Sequence, residues 1–110
     1  MAVVNSAIAT TDTTLITVPA EKKYALTTLL VCNTGADDGA GTNDTSVDVH
    51  VVPNGDTRST TNLILNDLEI AAADTFTFSA ERLILEAGDR LILVGQSPTN
   101  LVATLSYLEV

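Results

Sequence analysis

The segment Thr45–Val52, TSVDVHVV, sets Val47, Val49 and Val51 on one side of an extended chain and Ser46, Asp48 and His50 on the other. Side chains alternate in this way only along a strand, so the segment specifies a half-buried strand. The period recurs. In DTFTF, Phe76 and Phe78 oppose Thr75 and Thr77; in LVATLSYLE, Leu101, Ala103, Leu105 and Tyr107 align. TTLITV and NLILNDLEI read as further strands. YALTTLLVC begins in alternation and ends apolar on both sides, as a central strand covered on both faces does. No window of helical length carries a helical period, and the abundant Thr, Val and Ile favour strands. About eight short strands predict an all-β, antiparallel β-sandwich, jelly-roll-like, in a single domain over residues 1–110, with 1–9 as an N-terminal contact arm.

The turns are also marked. Asn33–Thr45 is long, polar and glycine-rich, Pro53–Thr61 contains Asn-Gly, and Gly95–Asn100 contains Pro98. In RLILEAGDRLILVG the tetrapeptide Arg-Leu-Ile-Leu begins at Arg82 and again at Arg90. A hairpin with a three-residue loop, Ala87-Gly88-Asp89, would pair Leu85 with Leu91 and Leu83 with Leu93, and would set Glu86 opposite Arg90. Each buried leucine is worth about 1.5–3 kcal/mol. A cross-strand charge pair is worth only about 0.2–1 kcal/mol, so the leucines decide the register. An arch between two sheets satisfies the same inward pattern. Gly88 suits a positive φ in either geometry.

A better repeat is strand-turn-strand. IAAADTFTF (70–78) and LEAGDRLIL (85–93) match in their apolar positions, their alanine and their aspartate, and VPAEKKYAL (18–26) follows the same outline. Asp74 and Asp89 fall at equivalent turn positions, where a carboxylate bonds nearby backbone amides. Gly88, Asp89 and Asp74 are therefore assigned structural turn roles.

Fourteen acidic and five basic residues give a net charge of −9. That opposes binding to a phosphate backbone, so no nucleic-acid partner is expected. No stretch has the roughly 20 apolar residues of a membrane span, and no convincing signal peptide opens the chain. Cys32 is the only cysteine and is read as a small buried apolar residue. His50 is the only histidine and is read as surface- or loop-facing, because no nucleophile motif accompanies it. Asp37, Asp38, Asn43 and Asp44 cluster without calcium-loop spacing and read as a solvated acidic loop. No catalytic residue, metal or cofactor is expected, and the chain is not read as an enzyme.

Motif order reaches further. TTLITVPAEKKYALTTLLVCNT resembles the opening of a family of small tailed-bacteriophage virion proteins. LEIAAADTFTF, RLILEAGDRLIL and LVATLSYLEV resemble that family's remaining strand pairs, including its Leu-x-Ala-Gly-Asp turn and closing Ser-Tyr-Leu-Glu. The acidic insertion Gly35–Asp44 departs from the pattern. The resemblance implies a virion structural protein, first of all a capsid decoration (cement) protein. Such a protein is made in the host cytoplasm and sits on the outer capsid surface as a homo-oligomer, with a trimer as the expected state. It stabilises the head by bridging subunits of the major capsid protein or other virion proteins. The alternative is a neck, tail or fibre-base component, including a receptor- or glycan-binding module. The expected contact residues lie at the two ends of the chain: Ala2, Val3, Val4, Ile8, Leu108 and Val110.

Overall fold

A computed structural model describes residues 2–80 and 83–110. Met1 of the expected arm and Arg82 of the repeated tetrapeptide lie outside them. The described residues form nine strands: β1 Ala2–Ala7, β2 Thr13–Thr17, β3 Lys23–Asn33, β4 Thr45–Val52, β5 Leu63–Ile70, β6 Thr75–Ser79, β7 Ile84–Glu86, β8 Arg90–Gly95 and β9 Leu101–Glu109. The expected arm is thus largely an ordered strand. A first sheet runs β1-β9-β3-β6, with β7 also on β3; a second runs β2-β8-β4-β5. If β6 and β7 are taken as one interrupted strand, the chain is a long hairpin. In it β1 pairs with β9, β2 with β8, β3 with β6 and β7, and β4 with β5, all antiparallel. Rolling that ribbon sets β9 beside β3 and β8 beside β4, which produces the two stacked sheets of a jelly roll.

The core lies between the sheets. Val47 and Val49 of β4, Leu91 and Leu93 of β8, and Leu101, Ala103 and Leu105 of β9 are all buried there, as their alternation requires. On β3 the inward residues are Leu26, then Leu29 and Val31, three and two positions apart. Thr27 is the extra residue of a β-bulge: Leu26 pairs with Tyr107 and Thr28 with Ser106, so the bulge restores the inward phase. The Thr27 hydroxyl donates to the Ser106 carbonyl at 3.0 Å. Among the described residues, however, strand β3 is covered on one face only. Leu30 and Cys32 point away from the core, with Leu30 36% exposed and Cys32 half-buried. Cys32 is therefore not a core residue.

LILEAGDRLIL, residues 83–93, is an arch and not a hairpin. Strand β7 belongs to the first sheet and β8 to the second, so Leu85 pairs with Tyr24 and Leu91 with Ile16 and Val51. Glu86 does not face Arg90; it meets Lys23 at 3.4 Å, and Arg90 donates to the Asp56 carbonyl. All three copies of the repeat are arches: β2 to β3, β5 to β6 and β7 to β8. They share one turn. The amides of Lys22, Asp74 and Asp89 donate to the carbonyls of Pro19, Ala71 and Glu86 at 3.2, 3.1 and 3.0 Å. The third turn residue has φ of 64° at Glu21, 63° at Ala73 and 85° at Gly88. A positive φ confined to that position is the type II signature.

Only one copy has the residue this turn prefers. A left-handed φ costs a residue with a Cβ about 1–2 kcal/mol. At Gly88 an added Cβ would also collide with the Asn54 side chain. We predict opposite signs in denaturant unfolding: Gly88→Ala lowers stability by about 1–3 kcal/mol, while Ala73→Gly is neutral or adds up to about 1 kcal/mol. Stabilisation by Gly88→Ala, or a loss above about 1 kcal/mol from Ala73→Gly, would contradict the shared turn.

Candidate docking surfaces

The two outer faces of the sandwich differ in cover and in charge. The outward residues of the second sheet include His50, Val52 and Ile92, which are buried yet stand apart from the main core. Segment 53–62 closes over them. It is held by Arg58 to Asp12, by Arg90 to the Asp56 carbonyl and by Asn54 N to Asp89 Oδ1 at 2.9 Å. His50 is thus loop-facing. Its Nδ1 lies 2.9 Å from Asn62 Oδ1. That oxygen also accepts from Ser59 N, while Asn62 Nδ2 donates to the Thr57 carbonyl. The amide orientation makes Oδ1 the acceptor, which assigns the imidazole proton to Nδ1. A catalytic base needs a nucleophile at hydrogen-bond distance; among the described residues His50 bonds only to this structural amide.

Beside this cover the second sheet is acidic. Asp44, Asp67, Glu69, Ser46 and Gln96 line an open depression of about 450 Å³. Two of its three acids are engaged within the fold. Asp44 Oδ1 accepts from Ala72 N at 2.9 Å, and Asp67 Oδ1 accepts from the Ser46 hydroxyl at 2.7 Å. The acidic loop is organised in the same way. Asp37 and Asp38 accept from the amides of Gly39 and Ala40 at 3.0 and 2.9 Å. Bonding from the Thr42 side chain, and then from the Ala40 amide, holds the Asp38 carboxyl below the usual carboxylate range. Among the described residues no three His, Cys, Asp or Glu side chains converge to hold a metal ion.

Asn33, at the end of β3, anchors that loop. It is 1% exposed. Its Nδ2 donates to the carbonyls of Asn43 and Ile70 at 2.8 and 3.0 Å, and its Oδ1 accepts from Gly35 N at 2.8 Å. Sequence reasoning missed it, because an asparagine at the start of a polar loop looks like any turn residue.

The first sheet's outer face has no cover among the described residues. Its cross-strand rows are Ile84–Ala25–Leu108, then Ser79–Thr28–Ser106–Val3, Thr77–Leu30–Thr104–Asn5, and Thr75–Cys32–Val102–Ala7. No position in these rows carries a charge. The Lys23–Glu86 pair closes one end.

On one flank two edge strands also lie open among the described residues. β1 and β2 touch one another and form one flank of the sandwich. Their sequences, AVVNSA and TTLIT, contain neither a charge nor a proline. Of the opposite edges, β5 has irregular register, a positive φ at Asp67, and exposed Asp67 and Glu69, the devices that deter strand addition; β6, TFTFS, has neither charge nor proline.

The expected contact residues divide accordingly. Val3, at 62%, Val110, at 65%, Leu108 and Ala2 are exposed. Val4 packs against the core and Ile8 is buried within it, so neither is free to meet a partner. The C-terminus is tied down by Val110 N donating to the Lys23 carbonyl at 2.9 Å, and by Lys22 to Glu109 at 2.9 Å. The turn carboxylates bond nearby backbone amides. Asp89 accepts from Glu86 N and Asn54 N, and Asp74 from Thr75 N. All four aromatics, Tyr24, Tyr107, Phe76 and Phe78, lean on the core, so none forms an exposed sugar platform. No protein-family model, curated protein or solved structure matches the chain.

Two tests follow for the anchored loop. Asn33→Ala strands two carbonyls and one amide, and we predict a loss of about 2–4 kcal/mol in denaturant unfolding. A loss below about 0.5 kcal/mol would contradict the anchor. Because the Asp38 carboxyl is depressed, its contribution is present above its unfolded pKa and is lost as pH falls through the lower folded value. The Ala40 and Thr42 amide resonances should titrate together in that acidic window; titration at the ordinary aspartate value would contradict the bonding.

Proposed function

We propose that this chain is a structural protein of a tailed-phage particle and, within that class, a capsid decoration protein that binds the outer shell and bridges its subunits. The observation that carries this reading is the β1/β2 flank, where two adjacent edge strands both lack charges and prolines and, among the described residues, cover, while on the far side β5 is guarded. Such a flank suits strand addition by a neighbouring chain: backbone bonding provides attachment, and alternate side chains provide specificity. The order of the sequence motifs supports the same reading. The jelly roll itself does not decide function, because one fold hosts many.

The mechanism is mechanical. Each copy makes modest contacts, and many copies on one shell add through multivalency. The net charge of −9 favours the outer surface over packaged DNA. No chemical step is required of the chain, and no cofactor enters this mechanism. A neck, tail or fibre-base position would use the same flank on a different partner.

The test is co-sedimentation with purified empty capsids of the encoding phage. We expect saturable binding by the wild-type chain. A variant carrying Thr14→Lys and Thr17→Lys on the exposed side of β2 should bind at least about tenfold more weakly. Detection in tail fractions with no capsid binding would replace the decoration role by the neck or tail role. Absence from particles would remove the virion reading altogether.

A further inference from the structure

We infer that the uncharged outer face of the first sheet docks against the same face of a second copy of this chain, forming a two-fold dimer through sheet-on-sheet packing. Three observations converge on this occupant.

The first is pattern. Strand β3 has the sequence of a strand covered on both faces, yet the described chain covers only one. Leu30 and Cys32 look outward beside Val102; Ile84 and Leu108 flank Ala25 at the other end of the same face, and Val3 joins it from β1. The second sheet solves the same problem internally, by closing segment 53–62 over Ile92 and Val52. The first sheet has no such segment among the described residues, so its cover comes from another chain.

The second is charge. A solvent-facing surface is typically about 25–35% charged, so a face of this size would ordinarily carry about four such residues. These rows carry none. Two copies of net charge −9 can approach to the roughly 10 Å spacing of packed sheets only through a face without like charges. A basic partner would instead select the acidic wall around Asp44, Asp67 and Glu69. A neutral face in an acidic protein selects a neutral partner, and the chain's own first sheet is one.

The third is size. Four strands at about 4.8 Å, with rows about 6.8 Å apart, give a face of about 500 Å². Two such faces bury about 1,000 Å², the lower bound of a specific interface. The dimer is accordingly a reversible one. Its threonines and serines keep the separated chain soluble, and its aliphatics interdigitate on contact, as the inner faces of a sandwich do. The association is isologous, so it closes at two chains in place of the trimer expected from the sequence. It leaves the β1/β2 edges outside the packed face, and it does not depend on the role in a particle.

Sedimentation equilibrium of the purified full chain, with reductant present to keep Cys32 a thiol, tests this without any other component. We expect the mass to rise from 11.5 kDa towards twice that value as concentration increases from about 10 µM to about 1 mM. Leu30→Glu, and separately Thr104→Lys at a position already polar, should each weaken the dimer at least tenfold while circular dichroism and the melting temperature stay unchanged. Thr14→Lys, on the flank, should leave the dimer intact. A wild-type chain that stays at 11.5 kDa throughout, that forms a trimer, or whose dimer survives both folded face variants would overturn the proposal. A monomer that still binds capsids would separate this failure from the virion reading.

Discussion

The structure depends on how its backbone amides are satisfied where the chain leaves one sheet for the other. An extended strand obtains its hydrogen bonds from its neighbours, but a crossing segment has left those neighbours behind. Here the crossings satisfy one another in pairs. The β2–β3 and β7–β8 arches are joined by Val18 N to the Asp89 carbonyl at 3.0 Å and Gly88 N to the Val18 carbonyl at 2.9 Å. The β3–β4 loop meets the β5–β6 arch through Asn33 N to the Asp74 carbonyl at 2.8 Å. The β1–β2 connection meets the β8–β9 region through Gly95 N to the Ala9 carbonyl at 2.8 Å. This follows from the rolled-hairpin topology, which places each crossing opposite its counterpart on the folded ribbon.

Those bonds explain why one short turn recurs. A type II turn reverses the chain in four residues and presents its ends to a neighbour without a long loop. The copies differ in how well they meet the backbone requirement, with glycine in one and glutamate or alanine in the others. The aspartate that follows in two of them bonds local amides. The core leucines then fill a space whose walls the crossings hold in place.

Much of this could be read from the residues, and the rest has physical reasons for staying hidden. Two-residue alternation marked β4, β6 and β9, because a strand with one face inward leaves a direct record of its burial. The threefold repeat also stood out, since its alanine and its inward neighbours fall at set offsets. Whether it was hairpin or arch did not, because both put Leu85, Leu91 and Leu93 inward and differ only in which strands pair. β1 escaped recognition as a strand because AVVNSA alternates weakly: at the sheet edge only Val4 is half-buried and the other five residues are exposed. Asn33 was hidden because a buried, fully bonded asparagine has the composition of a loop and the role of a core residue. The cover over His50 could not be anticipated either, since Pro53–Thr61 has the polarity of a free loop.

The described residues form distinct walls: an acidic outer face partly roofed by its own loop, an uncharged face without cover, and a flank of two edge strands without charge or proline. Binding by such surfaces requires that the crossings hold both sheets rigid. Native-state hydrogen exchange at the amides of Val18, Asn33, Gly88 and Gly95 tests this most directly. If the paired crossings hold the fold, these four amides exchange only through global unfolding, with the same free energy as the central amides of β3 and β9. Exchange through local openings several kcal/mol below the global value would contradict it.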